Sequence, residues 1–257
     1  MVYIAEKNYL TQDNTLVFFN SDANIGYYAR TSTQGKELEM VYKYIDYLKK
    51  KYSKMSRKKA AIFVEPLLET GYPDIVVLEY YSFPNLKWND VRKSLNSVDL
   101  KILFYIQTNK KLTIDMIKEI LGYSIDVIQS TLEKLLQCKL IWVSKDKKSV
   151  KSVDLNKYCR ISKIIAIEAK IDKWQDAIRQ ANNNIWFATE SYVMMNKTNC
   201  SPDIMENCRK QGLGIITING EIRKILNSKC NKFPVSYASL QFNEILLRKL
   251  YREEDNK

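Results

Sequence analysis

Two separated segments of this chain hold residue types that can together carry out phosphodiester chemistry. Tyr72-Pro73-Asp74-Ile75-Val76-Val77 and Ile164-Ile165-Ala166-Ile167-Glu168-Ala169-Lys170 each read as a buried strand that abruptly carries charge. Glu168 and Lys170 are two residues apart, so on a strand they project from one face. An acid and a base inside an apolar run are costly to bury unless they bind something. With Asp74 on a neighbouring strand they would make a compact group of two carboxylates and one ammonium. Such a group can hold a divalent metal ion beside a phosphodiester. The alternative is a structural Glu–Lys pair at a sheet edge, which leaves Asp74 as a coincidence.

Composition narrows the chemistry further. The chain has no histidine, which excludes Ser-His-Asp triads, His-based acid–base catalysis and His-ligated zinc. Hydrolysis must then run on carboxylates, lysine and a hard metal. The five cysteines, Cys138, Cys159, Cys200, Cys208 and Cys230, show no Cys-x-x-Cys spacing. They read as reduced thiols of a cytoplasmic protein. No apolar run is long enough for a membrane span, and the first residues lack a signal-peptide layout.

Pro73-Asp74 followed by Glu168-Ala169-Lys170 resembles the PD-(D/E)xK nuclease superfamily, over about residues 35–83 and 162–218. The resemblance implies an α/β fold with a restriction-endonuclease-like core, a mixed sheet flanked by helices. It implies Asp74, Glu168 and the main-chain carbonyl of Ala169 as ligands of Mg²⁺, with Mn²⁺ as a substitute. It gives Lys170 the role of orienting the attacking water and offsetting transition-state charge. Members often add a glutamate from the first helix. On a wheel at about 100° per residue, Glu37 falls with Val41, Tyr44 and Leu48 on the inward face, and Glu39 points away. Glu37 is therefore preferred, with a solvated N-terminal acid as the alternative. Glu65 is a further candidate for an outer metal contact, with a plain surface acid as the alternative. Gln180 matches the glutamine that many members carry after the lysine; it is either a contact to DNA or to the active-site edge, or a plain helix-surface residue.

These residues need elements to position them. Leu38, Val41, Tyr44, Ile45 and Leu48 predict a helix over Gly35–Tyr52. A strand over Ala60–Glu65, a turn at Gly71 and the Asp74 strand follow. After Lys170 the pattern predicts a helix over about Lys173–Glu190 and a strand Tyr192–Met195. A helix Pro202–Gln211, a strand Leu213–Ile218 and a helix near Leu240–Tyr251 complete the series. Strands and helices mixed in this way fit an α/β sandwich.

Residues 86–155 have a different character. Helices are expected over Asp99–Gln107, Thr113–Leu121 and from Ser124 to about Cys138. The strand Leu140–Val143, a polar hairpin and a return strand Val150–Val153 follow. This order resembles a winged helix-turn-helix. An inserted module explains why Asp74 and Glu168 lie so far apart in sequence, because insertion at a hairpin tip is tolerable when its ends are close. The domains are then 1–85 plus 156–257 for the core and 86–155 for the insert. Ser124, Gln129 and Ser130 on the last helix are candidates for base edges, and Lys145, Lys147 and Lys148 for phosphates. Asp126 and Glu133 on that helix leave a protein partner open.

The formal net charge is +12. The basic residues cluster at Lys43, Lys49, Lys50, Lys51, Lys54, Arg57, Lys58 and Lys59, and again at Lys145–Lys151. Such patches attract polyanions; a merely solvated surface is the alternative. The expectation is a cytoplasmic, Mg²⁺-dependent DNA endonuclease, with a homodimer or a complex as its assembly. A catalytically silent DNA-binding regulator, or a subunit of a larger DNA-processing or defence complex, stands as the alternative.

Overall fold

The computed structural model describes residues 14–18, 35–68, 71, 73–81, 89–109, 112–145 and 148–254. Tyr72 and Lys147 lie outside them. The described residues fall into two compact units, one within Met1–Ser82 and Ile161–Val235, the other within Phe83–Arg160 and Ser236–Lys257.

The first unit is built on a mixed seven-stranded sheet. Its elements are β1 (Thr15–Phe18), α1 (Lys36–Ser53), β2 (Lys58–Val64) and β3 (Ile75–Tyr81) before the second unit, and β7 (Ile161–Lys170), α7 (Trp174–Asn183), β8 (Glu190–Met195), α8 (Pro202–Gln211), β9 (Gly214–Asn219) and β10 (Glu221–Leu226) after it. The strand order is β1-β2-β3-β7-β8-β9-β10. β3 lies antiparallel to both β2 and β7, while β7, β8 and β9 run parallel. The central strands are buried on both faces, which is why β7 reads as a nearly continuous apolar run.

Each face is covered by helix. On one face Met40, Val41, Tyr44, Ile45, Leu48 and Tyr52 of α1 pack on alternate residues of the strands, including Ile62, Val64, Ile75, Val77, Ile167 and Ala169. On the other, Ala177, Ile178 and Ala181 of α7 and Ile204 and Cys208 of α8 pack on Val193, Met195 and Ile215. A sheet buried on both sides supplies a large share of the core, at roughly 25 cal/mol per Å² of apolar surface. At one position the packing leaves no room: a Cβ on Gly214 would collide with the Tyr192 ring.

The second unit contains α2 (Asp90–Lys93), α3 (Ser97–Thr108), β4 (Leu112–Thr113), α4 (Ile114–Leu121), α5 (Ile125–Gln137), β5 (Ile141–Val143), β6 (Ser149–Ser152), α6 (Leu155–Tyr158) and α9 (Tyr237–Glu254). Asn96, Thr113 and Ser124 cap α3, α4 and α5 with their side chains. Its small sheet has the order β4-β6-β5.

Several expectations are corrected here. The C-terminal helix α9 belongs to the second unit rather than to the residue 156–257 half of the core. A buried ion pair holds it: Glu244 accepts from Arg92 Nε and Nη2 at 3.0 and 2.9 Å, and the same Arg92 Nη2 donates to Tyr158 O at 2.8 Å. An amphipathic stripe demands a partner surface without naming it, so the sequence could not place this helix. The helix after Lys170 ends at Asn183, short of the expected Glu190, and a 3-10 turn spans Asn184–Trp186. The edge strand β10 was not anticipated, because Glu-Ile-Arg-Lys-Ile-Leu has weak alternation. No described helix is long and apolar enough to cross a membrane.

Candidate functional site

Strand register brings the acids together. Ile75 pairs with Val64 of β2 on one side and with Ile167 of β7 on the other. The next residues outward, Glu65, Asp74 and Glu168, therefore face one another across three adjacent strands. The Glu65 N–H donates to Asp74 O at 3.0 Å. The Ala169 N–H donates to Asp74 Oδ2 at 2.7 Å. Lys170 Nζ lies 3.9 Å from the same Oδ2 and donates to Ala169 O at 3.1 Å. Asp74, Glu168 and Lys170 thus form one group at the end of β7.

Two residues from helices complete it. Glu37, in the first turn of α1, accepts from Lys170 Nζ at 3.3 Å and from the Ile171 N–H at 3.4 Å. Glu39 is exposed. Asn184, at the C-cap of α7, donates from Nδ2 to Glu168 Oε1 at 2.7 Å and is itself buried. Ile167 and Ala169 face α1, so Glu168 points to the opposite face, where the end of α7 meets it. Sequence reading missed Asn184. It is the last of three consecutive asparagines, and nothing local distinguishes the buried one.

The electrostatics are those of a strained acid pair. Glu168 is 3% exposed. Burial first, and the Asp74 carboxylate second, push its pKa from 4.5 up to about 8; Asn184 and Lys170 oppose the rise. Burial also raises Asp74, against the pull of Lys170 and the Ala169 N–H. Two buried carboxylates in contact cannot both ionise cheaply. Either they share a proton or a cation lies between them.

That donor set suits a small hard cation. Mg²⁺ keeps several waters and takes one or two carboxylates from protein. Asp74, Glu168 and the Ala169 carbonyl fit that pattern. No group of three or more acidic, cysteine or histidine side chains is arranged to hold a metal among the described residues. Glu65 is buried, and its φ of 50° is a conformation non-glycine residues seldom adopt.

Beside this group lies an open cavity of about 590 Å³, lined by Lys36, Glu37, Lys170, Lys173, Arg179 and Gln180 among others. Gln180 Oε1 is buried there without a hydrogen-bond partner among the described residues. In the second unit, Ser124 is occupied as the α5 cap, accepting from the Val127 N–H at 3.4 Å. Gln129, Ser130, Lys145 and Lys148 are exposed. No family model, curated protein or solved structure matches this chain.

Proposed function

We propose that this protein is a Mg²⁺-dependent nuclease of the PD-(D/E)xK type that hydrolyses phosphodiester bonds in DNA. The observation that carries the reading is the meeting of the buried Asp74 and Glu168 with the partly exposed Lys170, to which Glu37 is bonded. A sheet-edge ion pair requires neither Asp74 nor the strained acid pair. The α/β sandwich, with α1 on one face and α7 and α8 on the other, is compatible with a restriction-endonuclease-like core.

Asp74, Glu168 and the Ala169 carbonyl would hold the ion. When bound, it supplies polarisation of the phosphodiester and acidification of the attacking water. Lys170 presents its ammonium beside the Asp74 carboxylate and offsets the negative charge that grows on the phosphoryl group. Glu37 fixes that ammonium. Asn184 fixes one oxygen of Glu168. Purified protein should cut or nick DNA with Mg²⁺ or Mn²⁺ and stop with EDTA. Asp74→Ala and Lys170→Ala should each lower the rate by about 10²–10⁴-fold. Absence of cleavage on duplex, single-stranded and RNA substrates would sink the reading.

The second unit supports a winged helix-turn-helix by its element order and its β4-β6-β5 sheet. Its α4–α5 surface favours a protein partner over base readout. Met116, Ile120, Ile125 and Val127 are 41–46% exposed there, and Asp115, Glu119, Asp126 and Glu133 are exposed with them. Such a surface repels phosphates and offers apolar area. This is the observation that keeps the reading as a subunit of a larger complex.

A further inference from the structure

The basic cluster around residues 43–54 is not used by the chemistry above, yet it has an ordered form. Lys36, Lys43 and Lys50 recur at every seventh position of α1, and Lys54 is its C-cap. At about 100° per residue, these four lysines and Tyr47 fall within roughly 60° of arc. The stripe runs about 27 Å at 1.5 Å per residue. All four lysines are exposed. None of them forms an ion pair among the described residues, whereas the neighbouring Asp46 is taken by Lys49 at 3.8 Å. Tyr47 is 41% exposed, with its ring 5.7 Å from that of Tyr44, so one aromatic face is held in place within the stripe.

The stripe leads to the acid group. Lys36, its first member, lines the same cavity as Lys170 and Glu37. The next residue in α1 is Glu37, bonded to Lys170. Lys50 and Lys54 stand at the i,i+4 spacing at which like charges repel. A polyanion laid along the helix reverses that cost.

We infer that the Lys36–Lys43–Tyr47–Lys50–Lys54 stripe of α1 is a track for a single nucleic-acid strand, guiding its backbone to or from the Asp74–Glu168–Lys170 group. Lysines spaced along an exposed helix meet phosphates, and a held tyrosine gives an unpaired base a stacking surface. A duplex offers no unstacked base to Tyr47, so the track prefers a single strand. The inference rests on the nuclease reading for the direction of the track and adds the strand that the site takes.

The test is binding of fluorescein-labelled oligothymidine by anisotropy, in EDTA, across a salt series. Wild type should bind with a steep salt dependence. The triple variant Lys43→Gln, Lys50→Gln, Lys54→Gln should lose about 2 from the slope of log K against log[salt], since each single-strand phosphate contact adds about 0.7. Affinity should fall by roughly 10-fold or more at low salt. A control triple, Lys118→Gln, Lys157→Gln, Lys210→Gln, removes equal charge elsewhere and should keep the slope. Tyr47→Leu should lower the single-strand affinity while leaving duplex affinity unchanged. Circular dichroism checks that each variant is folded. An unchanged slope in the α1 variant, an equal loss in the control, or a wild type that does not bind overturns the track. Wild type that binds as expected but never cleaves in Mg²⁺ overturns the nuclease reading and leaves the track standing.

Discussion

Replacing Glu168 by glutamine should stabilise the metal-free protein at alkaline pH. The native pKa of Glu168 is raised from 4.5 to about 8. Between those values the native state binds a proton that the unfolded state has lost, so stability falls as pH rises. The contribution is fully present below about pH 4.5 and gone above about pH 8. At 1.36 kcal/mol per pKa unit it amounts to roughly 5 kcal/mol. The slope cannot exceed about 1.4 kcal/mol per pH unit for one proton. Glutamine has the shape of the protonated acid. Its Oε1 can accept from Asn184, its amide can donate towards Asp74, and it does not ionise. Burial also raises Asp74. Urea unfolding in EDTA should show Glu168→Gln within about 1 kcal/mol of wild type at pH 5 and several kcal/mol more stable at pH 9. Mg²⁺ should restore wild type at pH 9 and leave the variant unaffected. Parallel pH–stability curves would refute the account of a strained acid pair. Activity should be lost in the variant, the usual exchange between stability and function at a charged site.

Two further outcomes follow from single contacts. Asn184→Leu removes the 2.7 Å donor to Glu168; loss of such outer partners typically costs about 10–100-fold in metal affinity or activity. The Mg²⁺ dependence of cleavage should shift to higher concentration, with much of the rate recovered at saturating ion; a lowered rate at saturation with unchanged half-saturation would argue against a positioning role. In the second unit, Glu244→Ala should destabilise by roughly 3–5 kcal/mol because the buried Arg92 loses its carboxylate counter-charge. Replacing both Arg92 and Glu244 with methionine and leucine should cost much less, and calorimetry comparing the single and double variants decides it.

Much of the architecture was open to local reading. The continuous apolar run of residues 75–78 and the near-continuous run of residues 164–169 specify strands buried on both faces, because successive side chains point to opposite sides of a sheet. The stripe Val41, Tyr44, Ile45 and Leu48 specifies the inward face of α1, and Glu37 lies at its margin for the same reason. Caps at Thr113 and Ser124 mark helix starts, since their side chains satisfy free N–H groups within a few residues. In each case the deciding interaction spans less than two turns of chain.

What only the tertiary structure decided is long-range. Register across β2, β3 and β7 places Glu65, Asp74 and Glu168 in one row, and no local pattern encodes which residue of one strand faces which of another. The chain leaves the sheet after β3 and returns at β7, so the pairing of Ile75 with Ile167 spans the Phe83–Arg160 part of the second unit. Asn184 became legible only once the end of α7 met Glu168. The Arg92–Glu244 pair drew α9 into the second unit for an equally non-local reason: a buried charge takes the partner that folding supplies. Sequence determined which segments had to be buried and which acids sat oddly within them. Only the fold decided what those acids touch, because desolvation and Coulomb coupling depend on distances that the order of residues does not contain.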